Sequence, residues 1–261
     1  MPVPPLRAVA FYLELKTGAT GPCVFACEDA TGEPAGEYVV KFRSQVRGGP
    51  TGLLFEYVAA QLALCLGLRT PSPAVVMLDP PLADATPNPE VAARIRRSIG
   101  PNYGCCYLVP GYSTWRVNDP VPLGLRTAAV EIMAFDALID NADRRREKPN
   151  LLWKDDEIFI IDHELSFSFV YLIGKSSQPF DSNSLGFLRN HPLYAGLLGR
   201  PVDLSRFTGE LESIDEATLE SFFEEAPAEF GRAHKEKVVE WLISAAQQPN
   251  ILVDSLRRIL S

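Results

Sequence analysis

Between Asp140 and His163 the chain ends a run of helix-forming residues on an acid- and amide-rich loop, then continues into two short β-like runs. The run Arg126 to Ile139 predicts a helix that closes on Asp140-Asn141-Ala142-Asp143. Asn150 to Trp153 and Glu157 to Ile161 predict two strands, separated by the turn Lys154-Asp155-Asp156. This order puts one carboxylate, Asp143, in the loop. It puts an amide, Asn150, and a second carboxylate, Asp162, at the hairpin. Oxygen donors of these two kinds suit a hard divalent cation.

The rest of the chain divides in character around Pro110-Gly111. Before it, Ala8 to Lys16 alternates as a half-buried strand, and Cys23 to Cys27 and Glu37 to Phe42 supply two more. Between the first two lies the small-residue turn Thr17 to Pro22, with Gly18 and Gly21. Gly52 to Leu66 has the length and apolar content of a buried helix, ended by Gly67. Ala74 to Leu78 and Tyr103 to Val109 read as strands. The Pro- and Ala-rich stretch 79–99 reads as a surface excursion ending in a short helix. After Pro110-Gly111, amphipathic helices are expected within Ile214–Glu225, Glu229–Gln247 and Ile251–Leu260. The expected class is therefore α+β, with a β-rich first lobe (1–110) containing one helix and a mainly helical second lobe (111–261).

Composition narrows the partners. The formal charge of −8 over 261 residues argues against a dedicated nucleic-acid binder, which needs a basic face to neutralise phosphates. The five cysteines and three histidines form no metal-ligand pair, so no zinc site is expected. No apolar run is long enough to span a bilayer. Met1 to Leu6 is Pro-rich and lacks the layout of a secretion signal, which predicts a cytoplasmic protein.

The segment Asp143-Arg144 to Asn150, with Ile160-Ile161-Asp162-His163, resembles the catalytic and metal-binding loops of the HipA-like kinases, and more distantly those of the lipid kinases. Val40-Lys41, Glu56, the exit Leu68-Arg69-Thr70-Pro71 and the segment Leu108-Val109-Pro110-Gly111 with Trp115 are similar to that family's first lobe and hinge. The resemblance implies a two-lobed, protein-kinase-like fold and an ATP- and Mg²⁺-dependent phosphotransferase. It implies Asp143 as catalytic base and Asn150 with Asp162 as Mg²⁺ ligands. It also implies Lys41 as partner of the nucleotide phosphates, held by an ion pair to Glu56. Leu108 and Val109 would lie against the adenine, and Gly18 and Gly21 would cover the phosphates. One departure stands out: the kinase pattern Asp-x-x-x-x-Asn would place the amide on Lys148, whereas the chain has it at Asn150.

Three functions fit these residues. An active kinase would favour a protein Ser/Thr hydroxyl, with a small molecule or lipid headgroup as the other acceptor class. A pseudokinase would bind nucleotide or protein without turnover, and the basic run Arg144, Arg145, Arg146, Lys148 beside a metal site favours it. A metal-dependent phosphohydrolase is disfavoured by the lack of a His/Asp cluster for two metals.

Overall fold

The computed structural model describes residues 5–16, 20–108, 111–116, 119–172, 180 and 184–261. Strands β1 (Leu6–Glu14), β2 (Cys23–Glu28), β3 (Pro34–Lys41), β4 (Pro73–Leu78) and β5 (Gly100–Cys106) close into a barrel in the order β1-β2-β3-β5-β4. Neighbours are antiparallel except where β1 meets β4, with Leu6 opposite Val76 and Arg7 opposite Met77. Closure leaves no free sheet edge. The interior is filled by the alternate residues the strand period points inward, among them Phe25, Val40 and Val76.

Helix α1 (Pro50–Cys65) joins β3 to β4 and is apolar on nearly every face, with eleven of its residues buried. A helix of that kind needs cover all round. It receives cover from the barrel on one side and from helices of the second half on the other, and it belongs to the larger core shared with that half.

Among the described residues of 1–110 there are three helices, against a lobe expected to hold one and a short helix at the end of the 79–99 stretch. Stretch 79–99 forms α2 (Pro80–Ala85) and α3 (Pro89–Arg97). Both starts are written locally. Asp79 accepts from the Leu82 N–H, Asn88 accepts from the Glu90 and Val91 N–H groups, and a proline opens each helix. Leu82, Ala83, Val91 and Ile95 then pack into the barrel's core. The stretch is a structural layer rather than an excursion.

The second half sets α4 (Arg126–Leu138) at its centre, buried from Ala129 to Leu138. Strands β6 (Ser113–Thr114), β7 (Leu151–Lys154) and β8 (Glu157–Ile160) form a small antiparallel sheet. Helices α5 (Tyr194–Leu197), α6 (Ser205–Glu212), α7 (Glu216–Glu225), α8 (Lys235–Gln247) and α9 (Pro249–Leu260) complete it. Short α5 and α6 escape the periodicity reading, because α6 offers the core only Phe207 and Leu211. Trp241 stacks on Phe169 and donates its indole N–H to the Leu138 carbonyl at 2.7 Å, tying α8 to the end of α4. Arg206 of α6 binds buried Glu131 of α4 and the Leu66 carbonyl at the end of α1. No helix among the described residues is long and apolar enough to cross a membrane.

Candidate functional site

Helix α4 carries Asp136, besides Glu131, into the interior, and Asp136 is sealed from solvent altogether. A charge so placed must be paired and hydrogen-bonded. Asp136 accepts from Arg144 Nε at 2.6 Å, from Asn141 Nδ2 at 3.0 Å and from His191 Nε2 at 3.0 Å. His191 Nδ1 takes the Leu193 N–H, which leaves the proton on Nε2 and fixes a neutral ring. Arg144, also buried, spends its remaining donors on the carbonyls of Asn150 (2.5 Å) and Ile161 (3.1 Å). One guanidinium thus fastens the two backbone points from which Asn150 and Asp162 project.

Those two residues, with Asp140, have left-handed backbones: φ is 50° at Asn150, 64° at Asp162 and 48° at Asp140. Among non-glycine residues Asn and Asp tolerate that region best, which accounts for their identity here. The Ile161 N–H donates to the Asn150 carbonyl at 3.1 Å, so the ends of β7 and β8 stay together. Asp140 accepts from Ser168 Oγ at 2.5 Å.

Four carboxylates and three cations meet above this base. Lys41, at the end of β3, lies 2.8 Å from Glu56 of α1, 2.5 Å from Asp162 Oδ1 and 3.7 Å from Glu164. Glu56 Oε2 also accepts the His163 N–H at 2.8 Å, which binds the chain just beyond Asp162 to α1. Lys148 bridges Asp162 Oδ2 at 2.6 Å and Asp143 Oδ2 at 2.7 Å, and Arg145 holds Asp143 Oδ1 at 2.8 Å. Asp143's own N–H goes to Asn141 Oδ1 at 3.2 Å.

The cluster's electrostatics follow from burial working against pairing. Burial opposes charge on Lys41, yet Glu56, Asp162 and Glu164 more than reverse this and hold the ammonium charged. Asp162 is likewise resisted by burial, but Lys41 and Lys148 hold it far below the ordinary carboxylate range. Burial raises Glu56 to about 7 against the pull of Lys41, and it raises Glu164. His163, sealed beneath the site beside Arg144, is lowered to about 3 by burial and stays neutral.

Of the residues expected from sequence, Lys41, Glu56, Asp143 and Asp162 are linked by this continuous chain of ion pairs. Asn150 is tied to the base of the cluster by its backbone carbonyl, which accepts from Arg144 and the Ile161 N–H, while its side-chain Nδ2 is buried without a hydrogen-bond partner among the described residues. The carboxylates of Glu56, Asp162 and Glu164 bring one oxygen each within 4.8 Å of one another, a donor set that fits a hard divalent cation. At Gly21 φ is 52°, and its carbonyl accepts from Arg94 of α3 at 2.7 Å. An added Cβ there would meet the Arg94 guanidinium. Leu108 is half-buried just past β5, while Gly18 and Val109 lie outside the described residues.

Sequence reasoning missed Asp136, His191 and Glu164. Asp136 carried a signal, as the one acid in an otherwise apolar helix turn. Glu164 carried another, two residues after Asp162. The arginine run also divides differently from expectation: Arg144 is internal scaffold, and only Arg145 and Lys148 face the acidic residues.

Among curated proteins none matches the chain. The crystal structure of a Helicobacter pylori proinflammatory kinase, CtkA, aligns over 98% of this chain and 98% of its own, with a TM-score of 0.51 at 14% sequence identity. That is a likeness of fold. The family described as HipA-like kinase matches residues 10–174, well over half of the chain. This protein belongs to the HipA-like kinase family.

Proposed function

We propose that the protein transfers the γ-phosphate of ATP, with Mg²⁺, to a hydroxyl group, most simply a Ser or Thr of a protein. The observation that carries this is the convergence of Lys41 from the barrel with Glu56, Asp162, Lys148 and Asp143, residues as far apart in sequence as 121 positions, into one ion-paired cluster. Family membership supports the reaction class. In this reading residues 1–110 form the nucleotide lobe and 111–261 the catalytic lobe, with the adenine against the segment around Leu108 and Val109 and the phosphates beneath the Gly18–Gly21 turn.

Each residue has a task. Lys41, kept charged and aimed by Glu56, binds the nucleotide phosphates. Asn150 and Asp162 would hold the Mg²⁺, which when bound neutralises charge on the phosphates as transfer proceeds. Asp143 orients the acceptor hydroxyl and takes its proton as the oxygen attacks. Arg144 and Asp136 hold the loop that carries Asp143 and Asn150.

A second reading has one observation in its favour. Both oxygens of Asp143 are engaged, one by Arg145 and one by Lys148, so the same cluster serves a pseudokinase that binds nucleotide without turnover. Incubating the protein with γ-labelled ATP and Mg²⁺, alone and with cell lysate, separates the two. Label transferred by the parent and lost in Asp162→Ala supports the kinase. Nucleotide binding with no transfer supports the pseudokinase, and free phosphate alone would mean a hydrolase.

A further inference from the structure

Lys148 occupies the place, five residues past Asp143, where the kinase pattern puts an amide. The fold holds it there. Arg145 and Lys148 exchange both backbone hydrogen bonds, at 3.1 Å and 2.9 Å, which closes a tight turn over Arg146 and Glu147. The Arg146 N–H is fastened to the Asn190 carbonyl at 3.0 Å, and Pro149 restricts the backbone on the other side. The side chain of Lys148 is 28% exposed, so solvent and solutes reach it, while Arg144 of the same loop is sealed.

Its ammonium joins two carboxylates that would otherwise repel each other, Asp143 Oδ2 at 2.7 Å and Asp162 Oδ2 at 2.6 Å. The second oxygen of each is already paired, Asp143 Oδ1 with Arg145 and Asp162 Oδ1 with Lys41. Two carboxylates sharing one point commonly gather a divalent cation. Here the cation belongs to the chain. It brings one positive charge, half that of a divalent ion, and an ammonium carries three donors. Two are spent on the aspartates, and the third has no acceptor among the described residues. A phosphate oxygen is an acceptor that a lysine takes readily, as a point charge.

We propose that Lys148 is a built-in cation of the nucleotide site: it stays between Asp143 and Asp162 when ATP binds, and gives its third N–H to a phosphate oxygen. ATP is then held without an absolute need for a divalent cation. Asn150 and Asp162 can still hold an ion, whose charge adds to that grip instead of creating it. Lys41 stays paired with Glu56 throughout, so the two ammonium groups flank Asp162 and address the phosphates together. This rests on the nucleotide-binding function above, and it applies to the kinase and the pseudokinase alike.

Calorimetric titration with a non-hydrolysable ATP analogue, once with Mg²⁺ and once with EDTA, tests this through the ratio of the two Kd values. The parent should lose less than about tenfold in EDTA. Lys148→Asn, which puts the amide where the kinase pattern has it, should lose at least about tenfold more than the parent does, the usual worth of a charge-assisted hydrogen bond. A parent that loses more than about tenfold in EDTA overturns the proposal, as does a Lys148→Asn variant whose further loss falls short of about tenfold. If Lys148→Asn fails to fold, the parent's ratio and Lys148→Gln decide by the same criteria. A parent that binds the analogue in neither condition is a different failure: the nucleotide function falls, and the built-in cation falls with it.

Discussion

Arg144 and Asp136, eight residues apart, form an ion pair of 2.6 Å in which neither side chain is exposed to solvent. The pair anchors the loop and the hairpin together, because the same guanidinium binds the carbonyls of Asn150 and Ile161. Removing one partner leaves the other as an uncompensated buried charge. Asp136→Ala should therefore cost about 3–5 kcal/mol of stability. Replacing both by leucine should cost less than the single change, since no lone charge remains. Urea denaturation of the three proteins measures this. A loss below about 1 kcal/mol in Asp136→Ala would show that the pair is not what holds the segment.

Asp143 offers the sharpest test of catalysis. Among the described residues its carboxylate caps no helix and pairs only with the side chains of Arg145 and Lys148. Asp143→Asn and Asp143→Ala should bind ATP nearly as the parent does, while turnover falls roughly 10²–10⁴-fold, the usual contribution of a positioned acid or base. Nucleotide affinity by calorimetry and transfer of labelled phosphate check the two halves separately. Full turnover in Asp143→Asn would move the base elsewhere, with Asp140 next on the same loop.

Lys148 stands between Asp143 and Asp162, 2.7 Å and 2.6 Å from their oxygens; burial opposes its charge, but the two carboxylates more than reverse this and hold the proton on it. It therefore competes with any cation for Asp162. Lys148→Ala should bind Mn²⁺ in the absence of nucleotide about tenfold more tightly, equivalent to ~1.4 kcal/mol. Calorimetric titration of Mn²⁺ into both proteins gives the comparison. Unchanged Mn²⁺ affinity would mean that the ammonium does not shield the metal ligands.

His163 sets a pH dependence whose sign is fixed. Its value falls from the ordinary 6.5 to about 3 in the folded protein, through burial and then the nearby Arg144 charge. Above pH 6.5 neither state binds the proton, and the residue contributes no slope. Below it the unfolded chain takes up a proton that the folded one refuses. Stability is lost as pH falls from about 6.5 towards 3, by at most about 1.4 kcal/mol per pH unit from this one group. His163→Asn should flatten the slope of stability against pH over that window, whatever its effect on stability at neutral pH. Equal slopes in parent and variant would show that His163 is protonated in the folded state.

What the amino-acid sequence determines here is local. The period of apolar residues gives the strands of the barrel and helices α1 and α4, and Asp79-Pro80 and Asn88-Pro89 already contain the caps of α2 and α3. The loop between α4 and β7 and the hairpin that ends on Asp162 are likewise legible, since their turn chemistry resides in adjacent residues. The partners of the charged side chains were decided by the tertiary structure. Nothing in the neighbourhood of Arg144 distinguishes it from Arg145, yet the first is sealed beneath the loop and the second faces Asp143. The difference is that α4 brings the Asp136 carboxylate under one of them and leaves the other at the surface. Glu164 gains its meaning the same way, from an ammonium 123 positions earlier in the chain. Burial fixes what an ionisable group must do, and burial is a property of the packed molecule, set by elements that are distant in sequence and meet only when the barrel, α1 and the hairpin close around one point.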